Sequence, residues 1–288
     1  MSQQIPIWPA PAKLNLMLHI TGRRADGYHE LQTVFQFLDL YDELQFKAGS
    51  DGQIRRATGP SAILEQDDLV VRSATALKQA SGTTQGAEIR LNKRIPAGAG
   101  LGGGSSDAAT TLHALNRLWK LQFDVDQLAA IGLTLGADVP VFVRGYAAFA
   151  EGIGERLQPV SLEQYWYLVI TPDVHVSTAA IFTDPDLTRD SPAIKICDLS
   201  TIGWENVCVP VVIRHYPKVA KALELLNVFA KARMSGTGAS VFAKFFSKHE
   251  AERALQQLKA TARWSNAWQA FICQGRNQSP LFEYMKTL

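Results

Sequence analysis

The sequence predicts an α+β protein of two domains, and three observations carry that prediction. The chain has 288 residues, and at roughly 100–200 residues per domain this length suggests two. Runs of alternating apolar and polar residues are interspersed with amphipathic stretches of helical period. Past residues 158–165 the order becomes a strand, helices, a hairpin, a helix and a last strand, which suggests a split β-α-β layer of ferredoxin-like type. The boundary falls near 160, giving domains 1–160 and 161–288.

Residues 13–20, K-L-N-L-M-L-H-I, put Leu14, Leu16, Leu18 and Ile20 on one strand face and Lys13, Asn15, Met17 and His19 on the other. Asp26-Gly27 is a turn signal, and 30–38 and 42–47 read as further strands. A helix over 67–80 and a strand over 86–95, ended by Pro96, lead to a glycine-rich loop at 98–104. The helix that follows, over about 105–119, carries Ala108, Leu112, Leu115 and Trp119 as its apolar stripe. A helix over about 125–135 and a short strand pair around Gly152–Gly154 complete the first half. The second half reads as strand 165–171, helix 177–183, helices about 205–214 and 217–230, a glycine turn at 235–238, strand 240–246, helix 248–260 and strand 267–273.

Composition narrows the function. Lys and Arg number 29 against 27 Asp and Glu, a net +2, so no global field gathers nucleic acid or an anionic membrane. An anion held by a local site stays open. No run approaches the ~18 apolar residues of a spanning helix, and the proline-bearing start does not resemble a signal segment. Cys197, Cys208 and Cys273 have neither disulfide-framework nor zinc spacing, so buried reduced thiols in a cytoplasmic protein are expected.

The densest signal is Pro96-Ala97-Gly98-Ala99-Gly100-Leu101-Gly102-Gly103-Gly104-Ser105-Ser106-Asp107. A loop this rich in glycine, running into a helix N-terminus, exposes backbone N–H groups that can cradle phosphate beside the positive end of the helix dipole. No Gly-Lys dipeptide follows, so it is not a P-loop. Gly98-x-Gly100-x-x-Gly103 matches a dinucleotide fingerprint, yet Asp124 lies in a polar link before another helix and does not close a second strand. The V-A-I-K and H-R-D segments of protein kinases are absent.

The loop P-A-G-A-G-L-G-G-G-S-S-D-A-A instead resembles the signature of the GHMP kinases, the superfamily of galactokinase, homoserine kinase, mevalonate kinase and phosphomevalonate kinase. Pro11-Ala12-Lys13-Leu14-Asn15-Leu16 and Ser235-Gly236-Thr237-Gly238-Ala239-Ser240 support the resemblance in the same order along the chain. Segments 24–40, 133–142 and 148–155 are most similar to the branch that phosphorylates a cytidine-diphosphate-linked methylerythritol on the non-mevalonate route to isoprenoid precursors. The resemblance implies a first domain like that of ribosomal protein S5, a ferredoxin-like second domain, and use of ATP with Mg²⁺.

Residue by residue, the resemblance implies Asp138 as the base and Lys13 as the group that tunes it and stabilises charge. By itself Asp138 also reads as a helix N-cap before Val139-Pro140, and Lys13 as a solvated strand lysine. Asn15, Tyr28, His29, Phe35, Thr178 and Phe182 are implied on the substrate side, with Tyr28 and His29 facing the cytosine and Phe182 stacking on it. Lys93 and Leu69, with its segment 68–72, are implied beside the adenosine. Ser106 is the hydroxyl implied near Mg²⁺, and Thr237 and Gly238 are implied to approach the transferred phosphate, though by themselves they also read as a simple hairpin turn. Ala99 stands where many members carry glycine, and an L-residue with left-handed backbone costs about 1–2 kcal/mol, so Ala99 is expected at negative φ. Asp107 suits the helix dipole but would repel phosphate, so it is expected to point away from the loop. Another small-molecule kinase of the same superfamily, or a non-catalytic nucleotide-binding protein on the same fold, is the alternative. The Lys13–Asp138 pair argues against a mere binder, and the lack of a basic-aromatic stripe against a nucleic-acid module.

Overall fold

The computed structural model describes residues 5–25, 27–61, 63–199 and 203–288. Asp26, half of the predicted turn, lies outside the described residues. Strand β1 (Trp8–Arg23) pairs antiparallel with β2 (His29–Gly49), and β2 also pairs with β4 (Gly86–Asn92) through Glu43–Gly49 and with β5 (Ala148–Gly152) through Leu31–Phe35. Strand β3 (Ile54–Thr58) lies parallel to β4, and β6 (Arg156–Pro159) pairs with β5. Helices α1 (Leu69–Ser81), α2 (Gly103–Leu118), α3 (Val125–Leu133) and α4 (Val139–Arg144) cover this sheet.

The second half contributes β7 (Trp166–Thr171), α5 (Thr178–Thr183), α6 (Val209–His215), α7 (Pro217–Asn227), β8 (Arg233–Met234), β9 (Val241–Phe245), α8 (Lys248–Lys259) and β10 (Gln269–Arg276). The order β10-β7-β9-β8, antiparallel throughout, is that of a split β-α-β layer. A short helix, α9 (Pro280–Met285), ends the chain.

Local chemistry accounts for where the sequence reading and the structure part. Residues 30–38 and 42–47 form one strand, because Asp39 accepts the Gln274 N–H and Tyr41 pairs with Pro11, which keeps the segment between them extended. The helix expected from 205 starts at Val209, since the Asn206 side chain is engaged with the Met234 and Gly236 carbonyls and the Cys208 N–H. Strand β3, I-R-R-A-T, has no apolar alternation to announce it and sits at the sheet edge, where charged side chains protect unpaired backbone. Cys197 is exposed, against the expected burial of all three thiols, while Cys208 and Cys273 are buried.

The alternation read over 13–20 fails at one point. The β1–β2 register slips between Asn15 and Met17, so Leu16 is an extra residue and every side chain beyond it changes face. Lys13 and Asn15 stay together, but Met17 joins Leu14 in the core between the two halves, with Val34, Tyr167 and Phe242. One core lies beneath the first half, centred on Phe35, Phe37, Leu112, Leu115 and Phe142, and includes Leu281 of α9. Another is built from Leu168, Ile170, Val219 and Val241 of the second half. The predicted stripe of α2 is buried, and so are Ala109, Thr110 and Thr111 on its other sides.

Candidate active site

The glycine loop is held in place from two directions. The Lys13 N–H donates to the Leu101 carbonyl at 3.0 Å, tying the loop to β1. From the second half, the Ser240 N–H donates to the Ala99 carbonyl at 3.0 Å, and the Ser235 hydroxyl donates to the Gly100 carbonyl at 2.8 Å. Ser235 also accepts the Asn15 N–H at 3.0 Å, so one hydroxyl joins β1, the loop and the second glycine turn.

Gly98, Gly100 and Gly102 have φ of 62°, 78° and 71°, and Ala99 is not among the residues of positive φ, as its side chain requires. Glycine is needed at Gly100 because a Cβ there would meet the Ser235 carbonyl oxygen at 2.1 Å, and at Gly102 because it would meet the Phe142 ring at 2.7 Å. The loop ends at Gly102, the N-cap of α2, which makes no side-chain cap. The first backbone N–H groups of α2 are therefore orphan donors at the positive end of a buried helix.

Lys13 and Asp138 meet in the cleft in front of this loop. The Lys13 ammonium is 3.2 Å from Asp138 Oδ2, with the lysine almost wholly buried and the carboxylate 35% exposed. Asp138 occupies the N-cap position of α4, yet its side chain caps nothing and turns to Lys13 instead. Lys13 also donates to Asn15 Oδ1, and the Asn15 amide donates to Thr33 Oγ1 at 2.9 Å, so Asn15 orients the lysine. Phe35 is 1% exposed and is not among the residues lining the cleft; its ring lies 5.2 Å from the ammonium.

Three cavities run end to end. The central cleft, about 530 Å³, is lined by Lys13, Asn15, Asp138, Ser105, Thr237 and Gly238 together with loop residues Pro96, Gly98–Gly100 and Gly102–Gly104. On one side it shares Leu69, Pro96, Gly98 and Gly104 with a cavity of about 510 Å³ that also contains Lys93, Ala97 and Asp107. On the other it shares Leu31, Ala137, Ile153, Thr178 and Phe182 with a cavity of about 600 Å³ walled by Tyr28, His29 and Arg189. Thr178 and Thr237 hydroxyls are 2.9 Å apart and link α5 to the second glycine turn.

The outer cavities differ in character. Lys93 lies between two carboxylates, Asp42 and Asp107, the latter at 2.7 Å. Burial opposes its charge, but the two carboxylates outweigh it and raise its pKa. Asp42 also accepts the Ile95 N–H at 2.8 Å. Asp107 Oδ1 has no donor, and burial pushes this carboxyl well above the ordinary range. Asp107 thus engages Lys93, whose ammonium lies beside Gly103, so its carboxyl stays near the loop and is screened from it by the lysine. In the opposite cavity His29 and Phe182 stack with centroids 5.2 Å apart and planes at 25°. Arg189 Nε donates to His29 Nε2 at 3.1 Å, and burial, Arg189 and Arg23 lower the histidine pKa. Tyr28 is 61% exposed at the rim.

Some implied residues do not reach the cleft surface. Leu101 and Ser106 are wholly enclosed, and Ser106 Oγ has no hydrogen-bond partner. Ser105, one residue earlier, is the loop hydroxyl that opens on the cleft, so Ser106 does not meet the expectation of a hydroxyl exposed to a cation. Among the described residues no cluster of three or more His, Cys, Asp or Glu side chains could hold a metal by itself. A Mg²⁺ bound mainly by phosphate oxygens, with Ser105 and Asp138 at hand, fits this sparse donor set. Sequence reading missed His175, whose Nδ1 lies against Gly98, along with Ser177 and Arg189. No local spacing marks them, because β7 and α5 bring them to the cleft from the other half.

The chain matches the family model "GHMP kinases N terminal domain" over residues 68–146 and "GHMP kinases C terminal" over 192–263. It is 56% identical over 280 residues to a 4-diphosphocytidyl-2-C-methyl-D-erythritol kinase of Pseudomonas paraeruginosa, covering 97% of each chain. To the protein of that name from Shewanella oneidensis it is 54% identical over 283 residues, covering 98% of each. A crystal structure of 4-(cytidine 5'-diphospho)-2C-methyl-D-erythritol kinase superposes with a TM-score of 0.79 at 34% identity, covering 94% of this chain and all of that one. The mevalonate kinase of Methanococcus jannaschii, at 14% identity and a TM-score of 0.70 over 96% of this chain and all of that one, shares the fold. The chain belongs to the 4-diphosphocytidyl-2-C-methyl-D-erythritol kinase family, a branch of the GHMP kinases.

Proposed function

We propose that the chain transfers the γ-phosphoryl group of ATP to a hydroxyl of 4-diphosphocytidyl-2-C-methyl-D-erythritol, on the non-mevalonate route to isoprenoid precursors. The observation that carries this reading is the Lys13–Asp138 pair, set between the glycine loop and the second glycine turn. The adenosine lies on the Leu69 and Lys93 side, the cytidine on the Tyr28, His29 and Phe182 side, and the phosphates meet between them.

Phosphoryl transfer has a loose transition state, so the protein's work is positioning and charge stabilisation. Asp138 takes the proton of the acceptor hydroxyl as its oxygen bonds to the γ-phosphorus. The bond to the bridging oxygen breaks and ADP leaves. Lys13 stabilises the acceptor oxygen as its negative charge grows and, 3.2 Å from Asp138 Oδ2, holds that carboxylate in place. The N–H groups at the start of α2, with Thr237, receive charge on the transferred phosphoryl. Ser105 and Asp138, which line the cleft, are the residues that would hold Mg²⁺, and the ion would neutralise charge on the donor phosphates. His29 and Phe182 touch each other across 5.2 Å, so the rings part or slide when a base stacks between them.

The test is ADP release over a panel of acceptors. Turnover is expected with 4-diphosphocytidyl-2-C-methyl-D-erythritol, with kcat/KM at least about 100-fold lower for mevalonate, homoserine or galactose. Turnover of one of those three, with none for the cytidylyl acceptor, overturns the reading.

A further inference from the structure

A separate cavity of about 560 Å³ lies where the inner face of the second-half sheet meets β1, and it shares no lining residue with the central cleft or the His29 cavity. Its walls include Leu16, Tyr165, Tyr167, Trp204, Arg233 and Lys244. Strand register places the two cations together: Arg233 pairs with Phe242, and Lys244, two residues along β9, pairs with Tyr167. Side chains of paired residues share a sheet face, so both cations stand on the face that lines the cavity.

Arg233 Nε is buried without a hydrogen-bond partner, and among the described residues no carboxylate forms an ion pair with Arg233 or Lys244. The Lys244 ammonium sits 4.3 Å from the centre of the Tyr165 ring. One carboxylate, Glu163, lines the cavity and accepts the Tyr165 hydroxyl; against two cations it leaves the lining net positive. Aromatic rings and Leu16 supply flat apolar walls beside these charges. An unsatisfied guanidinium N–H on the same sheet face as an ammonium is a receptor for an oxyanion, and the rings are a platform for what the oxyanion is attached to.

We propose that this cavity is a second ligand site, separate from the donor and acceptor cleft, for a small oxyanion that carries a flat apolar body. The probe is 1-naphthyl phosphate, titrated by calorimetry into the full chain with the cleft saturated by a non-hydrolysable ATP analogue and CDP. One equivalent is expected to bind, about tenfold more weakly in Arg233→Gln and at least about threefold more weakly in Lys244→Gln. The uncharged 1-naphthol is expected not to bind. Lys244 is exposed, so its variant still decides the matter if Arg233→Gln fails to fold. Absence of binding with the cleft filled, or affinity unchanged in the variants that fold, overturns the proposal.

Discussion

Lys13 is a charge that water barely reaches, and a buried ammonium is tolerated only with partners. Asn15 and Asp138 are those partners, so the same contacts that permit its burial aim it at the acceptor position. Replacing Asp138 by Asn keeps the shape and removes the base. The turnover number is expected to fall by about 10²–10⁴-fold while ATP affinity, read by calorimetry, stays within about threefold. Retained turnover would remove the base role. Arg189 makes a parallel case at the other end of the cleft. Its Nε–H donates to His29 Nε2, so that nitrogen is unprotonated and any ring proton resides on Nδ1. The burial and the two arginines that lower the His29 pKa all act against the imidazolium, so Arg189→Gln is expected to move the titration back up toward the ordinary histidine value. The acceptor KM should rise with kcat nearly unchanged. An unaltered His29 titration, followed by NMR, would refute the coupling.

At the scale of elements, the glycine loop and α2 act as one unit, because Gly102 is both the last left-handed residue and the helix N-cap. Gly102→Ala would combine left-handed strain with a Cβ 2.7 Å from the Phe142 ring. A stability loss of about 2–5 kcal/mol is expected in urea unfolding, with weakened ATP binding. A neutral outcome would mean that the loop can shift without cost. Such elements are legible in sequence where the pattern is local. The stripe Ala108, Leu112, Leu115 and Trp119, the punctuation by glycines and the negative φ of Ala99 all follow from nearest neighbours along the chain. Strand β3 was hidden because its pairing is with β4 and its side chains are charged. The Leu16 bulge was hidden because period-two alternation cannot announce an extra residue that only the partner strand defines. The candidate site divides in the same way. Its loop is a visible motif, whereas Asp138 and Lys13 look like a cap and a solvated strand residue until the fold sets them 3.2 Å apart.

For the whole molecule, one sheet runs through both halves by way of β2 and β10, and the chain end returns to the first half. Helix α9 packs Leu281 into the core of the first half, and Tyr284 meets the Trp8 ring at 5.3 Å. His113 of α2 is the polar link in that closure. Its Nε2 lies 2.8 Å from the Val143 carbonyl, and its ring meets Phe282 edge-on at 5.3 Å. A carbonyl only accepts, so Nε2 carries the proton and the neutral ring is satisfied without a second charge. Burial lowers the His113 pKa more than the hydrogen bond raises it. The unfolded chain therefore binds this proton more readily than the folded one. The resulting stabilisation is complete above the ordinary histidine pKa and is lost as pH falls through it toward the lower folded value. His19 and His29 are shifted in the same direction, so the effects add in sign. Unfolding free energy, measured in urea between about pH 7 and 5.5, is expected to decrease with acidification. His113→Gln can still donate to Val143 but cannot titrate, and should make that decline shallower whatever it does to stability at neutral pH. An unchanged slope in the variant would show that His113 is not the group that couples closure of the fold to pH.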